Sequence, residues 1–185
     1  MRTARSGESA LLLLDAVSVL QTQGIGYAVV GAIAASVHGA VRASMDADVV
    51  LSLAVQKALE MEQVFKAAGF QTELSRGDFN DPIPGLLRLS DRHGNRVDLL
   101  IGLRGMESAA FSRSIQIPFQ GETLQFIGRE DFIAMKVFAG GPMDLIDAKR
   151  ALTAGKESLD MPLLRRLAAQ FGRDAVTALE QLLSS

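Results

Sequence analysis

Asp46 and Asp48 stand at alternate positions at the head of the apolar run Val49-Val50-Leu51. Side chains at i and i+2 of a strand leave the same face, so the two carboxylates would stand side by side. Like charges held that close repel, and a chain that keeps them there usually supplies a cation. Carboxylate oxygens suit Mg²⁺, which takes a few of them and completes its shell with phosphates and water. The plainer alternative is an acidic strand end in solvent. Asp98 is a third acid, set between Val97 and Leu99-Leu100 on a segment whose other face should be buried. A carboxylate at a core edge needs a partner. That partner is a metal or, across a hairpin, Arg88 or Arg96. The turn Val30-Gly31-Ala32, leading from a strand into a helix, would add outward-facing backbone amides. Gly31 permits close backbone approach, so the turn could cradle an anion, or it could be a plain turn.

These residues need elements to hold them. A helix with Leu13, Val17 and Leu20 on one face should end at Gly24. Strands are expected at 27–30, 46–53 and 70–74, with helices at 32–38 and 56–68, the latter with Leu59, Val64 and Phe65 inward. Residues 75–85, rich in Asp, Asn, Pro and Gly, read as a loop. Strands at 86–90 and 96–101 flank Asp91-Arg92-His93-Gly94-Asn95, and strands at 115–119 and 123–127 flank Gln120-Gly121-Glu122, giving two hairpins. Helical periodicity then takes over at 131–139, 143–152, 163–170 and 175–183. This order predicts an α+β fold with a small mixed sheet flanked by helices. Residues 1–128 would form the α/β core, with 1–24 as a leading helix, and 129–185 a helical extension packed on it.

Composition narrows the chemistry. The chain's 185 residues are 48% hydrophobic and 22% charged, enough apolar material for a packed core. The absence of cysteine excludes a thiolate metal centre, and His38 and His93 alone leave little room for a multi-histidine one, so any metal should be held by carboxylates. The net charge of −2 and the absence of Trp argue against bulk DNA binding and against a single-strand binder built on stacked aromatics. Arg2 and Arg5 precede Leu11–Leu14, but Asp15 breaks the apolar run and no spanning segment follows, so a cytoplasmic protein without membrane contact is expected. His38 reads as a packed histidine, His93 as a hairpin residue, and Phe65, Phe70, Phe132 and Phe138 as core. Between 149 and 173, six basic residues face two acidic ones, which is an RNA-facing patch or a solvated helical surface.

Taken together, Tyr27-Ala28-Val29-Val30-Gly31-Ala32 and the run Arg42-Ala43-Ser44-Met45-Asp46-Ala47-Asp48, with Asp98 beyond, resemble the nucleotidyltransferase superfamily. The Arg-x-Ser-x-Asp-x-Asp run is similar to that of its minimal bacterial branch, which includes AbiEii/AbiGii-type toxins. Ile133-Ala134-Met135-Lys136 followed by Asp144-Leu145-Ile146-Asp147 is similar to that branch's helical motif, a Lys and then Asp-x-x-Asp. The resemblance spans roughly residues 25 to 150.

The resemblance implies two-metal transfer of a nucleoside monophosphate from an NTP to an acceptor: RNA, protein or a small molecule. Asp46 and Asp48 would hold Mg²⁺ (or Mn²⁺) against the triphosphate, and Asp98 would complete the metal site and help deprotonate the acceptor. Gly31, Ala32, Arg42 and Ser44 would contact nucleotide. Lys136 would meet the phosphates, and Asp144 with Asp147 would orient Lys136 or the base and ribose. Two features depart from the pattern. Ala32 replaces the usual Gly or Ser, and no Arg lies between Lys136 and Asp144. They keep a second class open, a catalytically degenerate nucleotide-binding or toxin–antitoxin module with a cognate partner. Asp144 and Asp147 could also simply pair with Arg150.

Overall fold

The computed structural model describes residues 1–41, 46–78 and 81–184. Arg42 and Ser44, expected at the nucleotide, lie outside the described residues. Ser9–Thr22 (α1) opens the fold, followed by Tyr27–Val30 (β1), Gly31–Val37 (α2), Asp46–Leu51 (β2) and Ala58–Ala67 (α3). Gln71–Arg76 (β3), Gly85–Ser90 (β4), Arg96–Ile101 (β5), Ile115–Phe119 (β6) and Glu122–Phe126 (β7) complete the strands. Arg129–Ala139 (α4), Pro142–Ala154 (α5), Met161–Phe171 (α6) and Arg173–Ser184 (α7) end the chain.

The seven strands make one mixed sheet in the order β3-β4-β5-β2-β1-β7-β6. Two pairings are parallel, β2 with β5 and β1 with β7; the others are antiparallel. Alternation divides the β4–β5–β2 ribbon sharply. Leu87, Leu89, Val97, Leu99, Ala47 and Val49 are completely buried, and α1 packs on β2 and β5 while α3 packs on β3 and β4. Most of the alternate residues, among them Arg88, Asp98, Asp46 and Asp48, are only partly buried, although Val50 is 1% exposed. One face of this half-sheet is therefore core, and the other is polar and open at the end that carries Arg88, Asp98, Asp46 and Asp48.

Helices α4 to α7 pack on one another, and a single apolar cluster runs from Leu12 to Leu179. Gly140, at φ +67°, ends α4, and Pro142 starts α5 where its missing N–H costs nothing. Among the described residues no helix is long and apolar enough to cross a membrane.

Three local expectations need correction. Helix α3 begins only at Ala58, after a 3₁₀ turn at Val55–Lys57, and it buries Ala58, Met61, Glu62 and Phe65. Leu59 is 52% exposed, because the i, i+3, i+4, i+7 stripe starting at Ala58 leaves it on the outer side. Strand β3 runs on to Arg76 and β4 starts at Gly85, so the expected loop gives up residues at both ends to the ladder that pairs Arg76 with Gly85. Helix α1 buries Leu12, Leu13 and Leu14 alike, which is more than one face.

Candidate active site

Among the described glycines, Gly31 is the one most closely approached, by the side chain of Asp48. Val30 pairs with Asp48 across the β1–β2 ladder, so the next residue lies beside the aspartate side chain. Gly31 sits at φ +64°, and a Cβ built on it would overlap the Asp48 carboxylate. A β-carbon is thus excluded twice, by backbone conformation and by space. Helix α2 starts at Gly31 and has only seven residues. Ala32 is buried at 3% exposure, so it offers a ligand no side chain.

Asp46, Asp48 and Asp98 leave the same face of the sheet. The first two are alternate residues of β2, and Asp98 on β5 is the register partner of Asp48. Neighbouring strands lie about 4.8 Å apart, which brings the three side chains into one neighbourhood. Two of them face arginines. Arg88 Nε donates to Asp98 Oδ1 at 3.0 Å and its Nη2 donates to Oδ2 at 3.3 Å. Arg96 Nε donates to Asp46 Oδ1 at 3.1 Å. Among the described residues no group of three or more His, Asp or Glu has the spacing of a metal site. The donors fit a hard divalent cation in kind: three carboxylates on adjacent strands. The conformations of Asp98 and Asp46 are those of the arginine-paired state.

Lys136 is 8% exposed on α4. Its Nζ lies 2.6 Å from Asp144 Oδ1 and 3.1 Å from Asp147 Oδ2, both on α5. The ammonium also stands 5.7 Å from the centroid of the Phe132 ring, one turn back on α4. The expected alternative for these acids, Arg150, is replaced by Lys136: the lysine comes from the facing helix, and Asp147 is fully buried while Arg150 is exposed.

Between these groups lies an open cleft of about 300 Å³, walled by Val30, Gly31, Asp48, Phe132, Lys136 and Asp144. Leu100 and Met135 add apolar surface. The cleft therefore joins the β1–α2 turn, β2 and the α4–α5 pair. Asp46 and Asp98 share its sheet face without lining it. A larger recess of about 580 Å³ follows α7, but its walls are Val176, Thr177, Glu180, Gln181 and Ser184, without the acid–base convergence of a site.

Phe132, core by its sequence pattern, also shares one stripe of α4 with Lys136 through its i, i+4 spacing. Glu107, which no motif marks, receives hydrogen bonds from Arg113, Arg166 and Gln170. Hydrogen bonds from Arg166 and Gln170, against the cost of burial, hold its carboxyl well below the usual range. Arg165 pairs with Glu180, so two arginines of the basic 149–173 segment are held by acids elsewhere. His38 is buried, its Nε2 lying 2.8 Å from the Ile127 carbonyl oxygen, and burial lowers its pKa. His93 is half-buried on the hairpin turn.

No protein-family model and no curated protein sequence matches the chain. Solved structures do match in shape. The antibiotic-resistance factor ANT(2'')-Ia aligns with a TM-score of 0.61 at 14% identity, over 92% of this chain and 94% of that one. An antigenic nucleotidyltransferase-like protein from Paracoccidioides brasiliensis aligns with a TM-score of 0.56 at 14% identity, over 98% and 90%. The lincosamide antibiotic adenylyltransferase LnuA, lincomycin-bound, aligns with a TM-score of 0.52 at 11% identity, over 82% and 99%. Likeness at such identities is likeness of fold, and on that ground the chain has a nucleotidyltransferase-like fold.

Proposed function

We propose that this protein transfers a nucleoside monophosphate from an NTP to an acceptor group, with pyrophosphate as the leaving group, using Asp46, Asp48 and Asp98 around a divalent cation. The observation that carries the reading is the close fit of Asp48 on Gly31, with Asp98 in register on the same sheet face and Lys136 across the cleft. Mg²⁺ or Mn²⁺, when bound, would neutralise the triphosphate and align the displacement. Asp46 and Asp48 would be its ligands on the nucleotide side. Asp98 would be a ligand on the acceptor side and would take up the proton of the acceptor hydroxyl. The amides of Gly31 and Ala32 would face phosphate oxygens, joined by Arg42 and Ser44 from the run that leads into Asp46. Lys136, held by Asp144 and Asp147, would present a fixed positive charge to the phosphates. Such a site works by position and charge, with no covalent step on the protein.

Small hydroxylated molecules stand first among the acceptors. Of the proteins similar in fold, LnuA binds lincomycin, and ANT(2'')-Ia has been solved with adenylyl-2''-tobramycin. RNA and protein acceptors come second, since Arg165 and Arg166 are engaged by Glu180 and Glu107. The test is transfer of labelled nucleotide from each NTP, with Mg²⁺ or Mn²⁺, into aminoglycoside and lincosamide panels, total RNA and total protein. Label in any pool supports the reading. Binding of the NTP with no label anywhere overturns it.

That second outcome would favour a nucleotide-binding module, in the manner of a degenerate AbiEii-type toxin–antitoxin component in the cytoplasm. The buried Ala32 and the arginines on Asp46 and Asp98 are the features on its side.

A further inference from the structure

The polar face of the half-sheet carries a charge ladder that crosses three strands. Arg88 on β4 is the register partner of Asp98 on β5 and of Glu73 on β3. Its guanidinium engages both carboxylate oxygens of Asp98. On the other side its Nη1 lies 3.5 Å from Glu73 Oε2. The two contacts are unequal. Asp98 receives the two-point fork and is 21% exposed at its side chain, whereas Glu73 makes one longer contact and is 69% exposed. A guanidinium fork of this kind engages the same oxygens that a hard cation needs.

We infer that Arg88 is the internal counter-ion of Asp98, which a divalent cation must displace toward Glu73 before Asp98 can act as a ligand. The inference rests on the metal-dependent reading proposed above and adds a positioning residue to it. Without a cation, Arg88 offsets the repulsion among Asp46, Asp48 and Asp98. With a cation bound, the same positive charge opposes it, and Glu73 gives the guanidinium a second seat on the side away from the cleft. Arg88 thereby sets how tightly the site takes a cation. The third carboxylate is released for the acceptor only when that cation arrives. Arg96 on Asp46 is a weaker version of the arrangement, a single hydrogen bond between side chains 47% and 40% exposed.

The experiment is direct Mn²⁺ binding, by loss of the free-ion electron paramagnetic resonance signal, on the intact chain. R88Q keeps a polar amide but removes both the charge and the guanidinium fork, and should bind Mn²⁺ roughly three- to tenfold more tightly than wild type. R88K keeps the charge and loses the fork, and should fall between the two. E73Q should weaken Mn²⁺ binding in the wild-type background and lose that effect in R88Q. Unchanged or weaker binding by R88Q and R88K, with folding verified by circular dichroism, overturns the inference. D98N separates the two levels. If D98N leaves Mn²⁺ affinity unchanged, Asp98 is no ligand and the metal-dependent reading itself fails. If D98N weakens binding while R88Q does not tighten it, only the role of Arg88 fails.

Discussion

Lys136 holds Asp147 from the facing helix, Nζ to Oδ2 at 3.1 Å, with the aspartate side chain wholly out of solvent. Two helices of the C-terminal bundle are thus clamped at the same ammonium that faces the cleft. Removing one partner of a buried ion pair leaves the other charged and desolvated, which costs about 3–5 kcal/mol. Lys136→Met and Asp147→Ala should each lower stability by about that much in urea unfolding. Asp144→Asn, at a side chain 31% exposed, should cost about 1 kcal/mol or less. Equal losses at Asp144 and Asp147 would count against the clamp.

Gly31→Ala should be disproportionately damaging for the addition of one methyl group. The left-handed backbone alone costs about 1–2 kcal/mol, and the overlap with Asp48 must be relieved by moving that carboxylate. We expect a lower Tm together with loss of NTP binding. Gly94→Ala is the control, since its φ is +80° but a Cβ there meets nothing within 4 Å. It should share the backbone cost and spare the ligand.

The carboxylates should separate by role. Asp98→Asn should abolish transfer of labelled nucleotide while leaving NTP affinity within about threefold, because its work lies on the acceptor side. Asp48→Asn should lose both transfer and metal-dependent NTP binding. Transfer rates in one assay and equilibrium binding of a non-hydrolysable NTP in another check the split.

Acid stability should depend on Asp91 at the β4–β5 turn. Burial pushes its carboxyl up, but hydrogen bonds from Asn95, Thr3 and His93 outweigh this and bring it from 3.8 to about 2. A carboxyl whose pKa is depressed on folding stabilises above its unfolded pKa, and that contribution fades as pH falls through the folded one. The contribution, about 1–2 kcal/mol, should therefore be present above pH ~4 and mostly lost by pH ~2, with the remainder going below that. Asp91→Asn should lower stability at neutral pH and flatten the profile across this window. Tm measured from pH 2 to 7 checks both.

What the sequence discloses depends on how local the cause is. The β1 turn, the alternate aspartates and the helical periods of α4 to α7 are short-range patterns, and each appears in the structure within a few residues of its expected bounds. The Arg88–Asp98 pair was readable as one of two alternatives. With the turn at 91–95, Arg88 is the third residue before it and Asp98 the third after, which sets them opposite. The placement of β1 between β2 and β7 depends on parallel pairing between distant segments, and no local pattern encodes it. Leu59 was misplaced for a related reason. A short helix with several apolar residues permits more than one stripe, and the strands beneath it decide which is used.

The sheet order also governs when the cleft can form during synthesis of the chain. The hairpins β4–β5 and β6–β7 can zip locally, but β2 must wait for β5, and β1 must wait for β7 to seat Val29 beside Phe126. Lys136 and its aspartates emerge later still. No fragment ending before residue 144 contains all the residues that wall the cleft. Pairings between distant segments carry a large loop-closure cost and place such folds toward the millisecond-to-second end of folding times. The cleft therefore cannot close until the chain has been made through Asp144 on α5, so its assembly is a late event of folding.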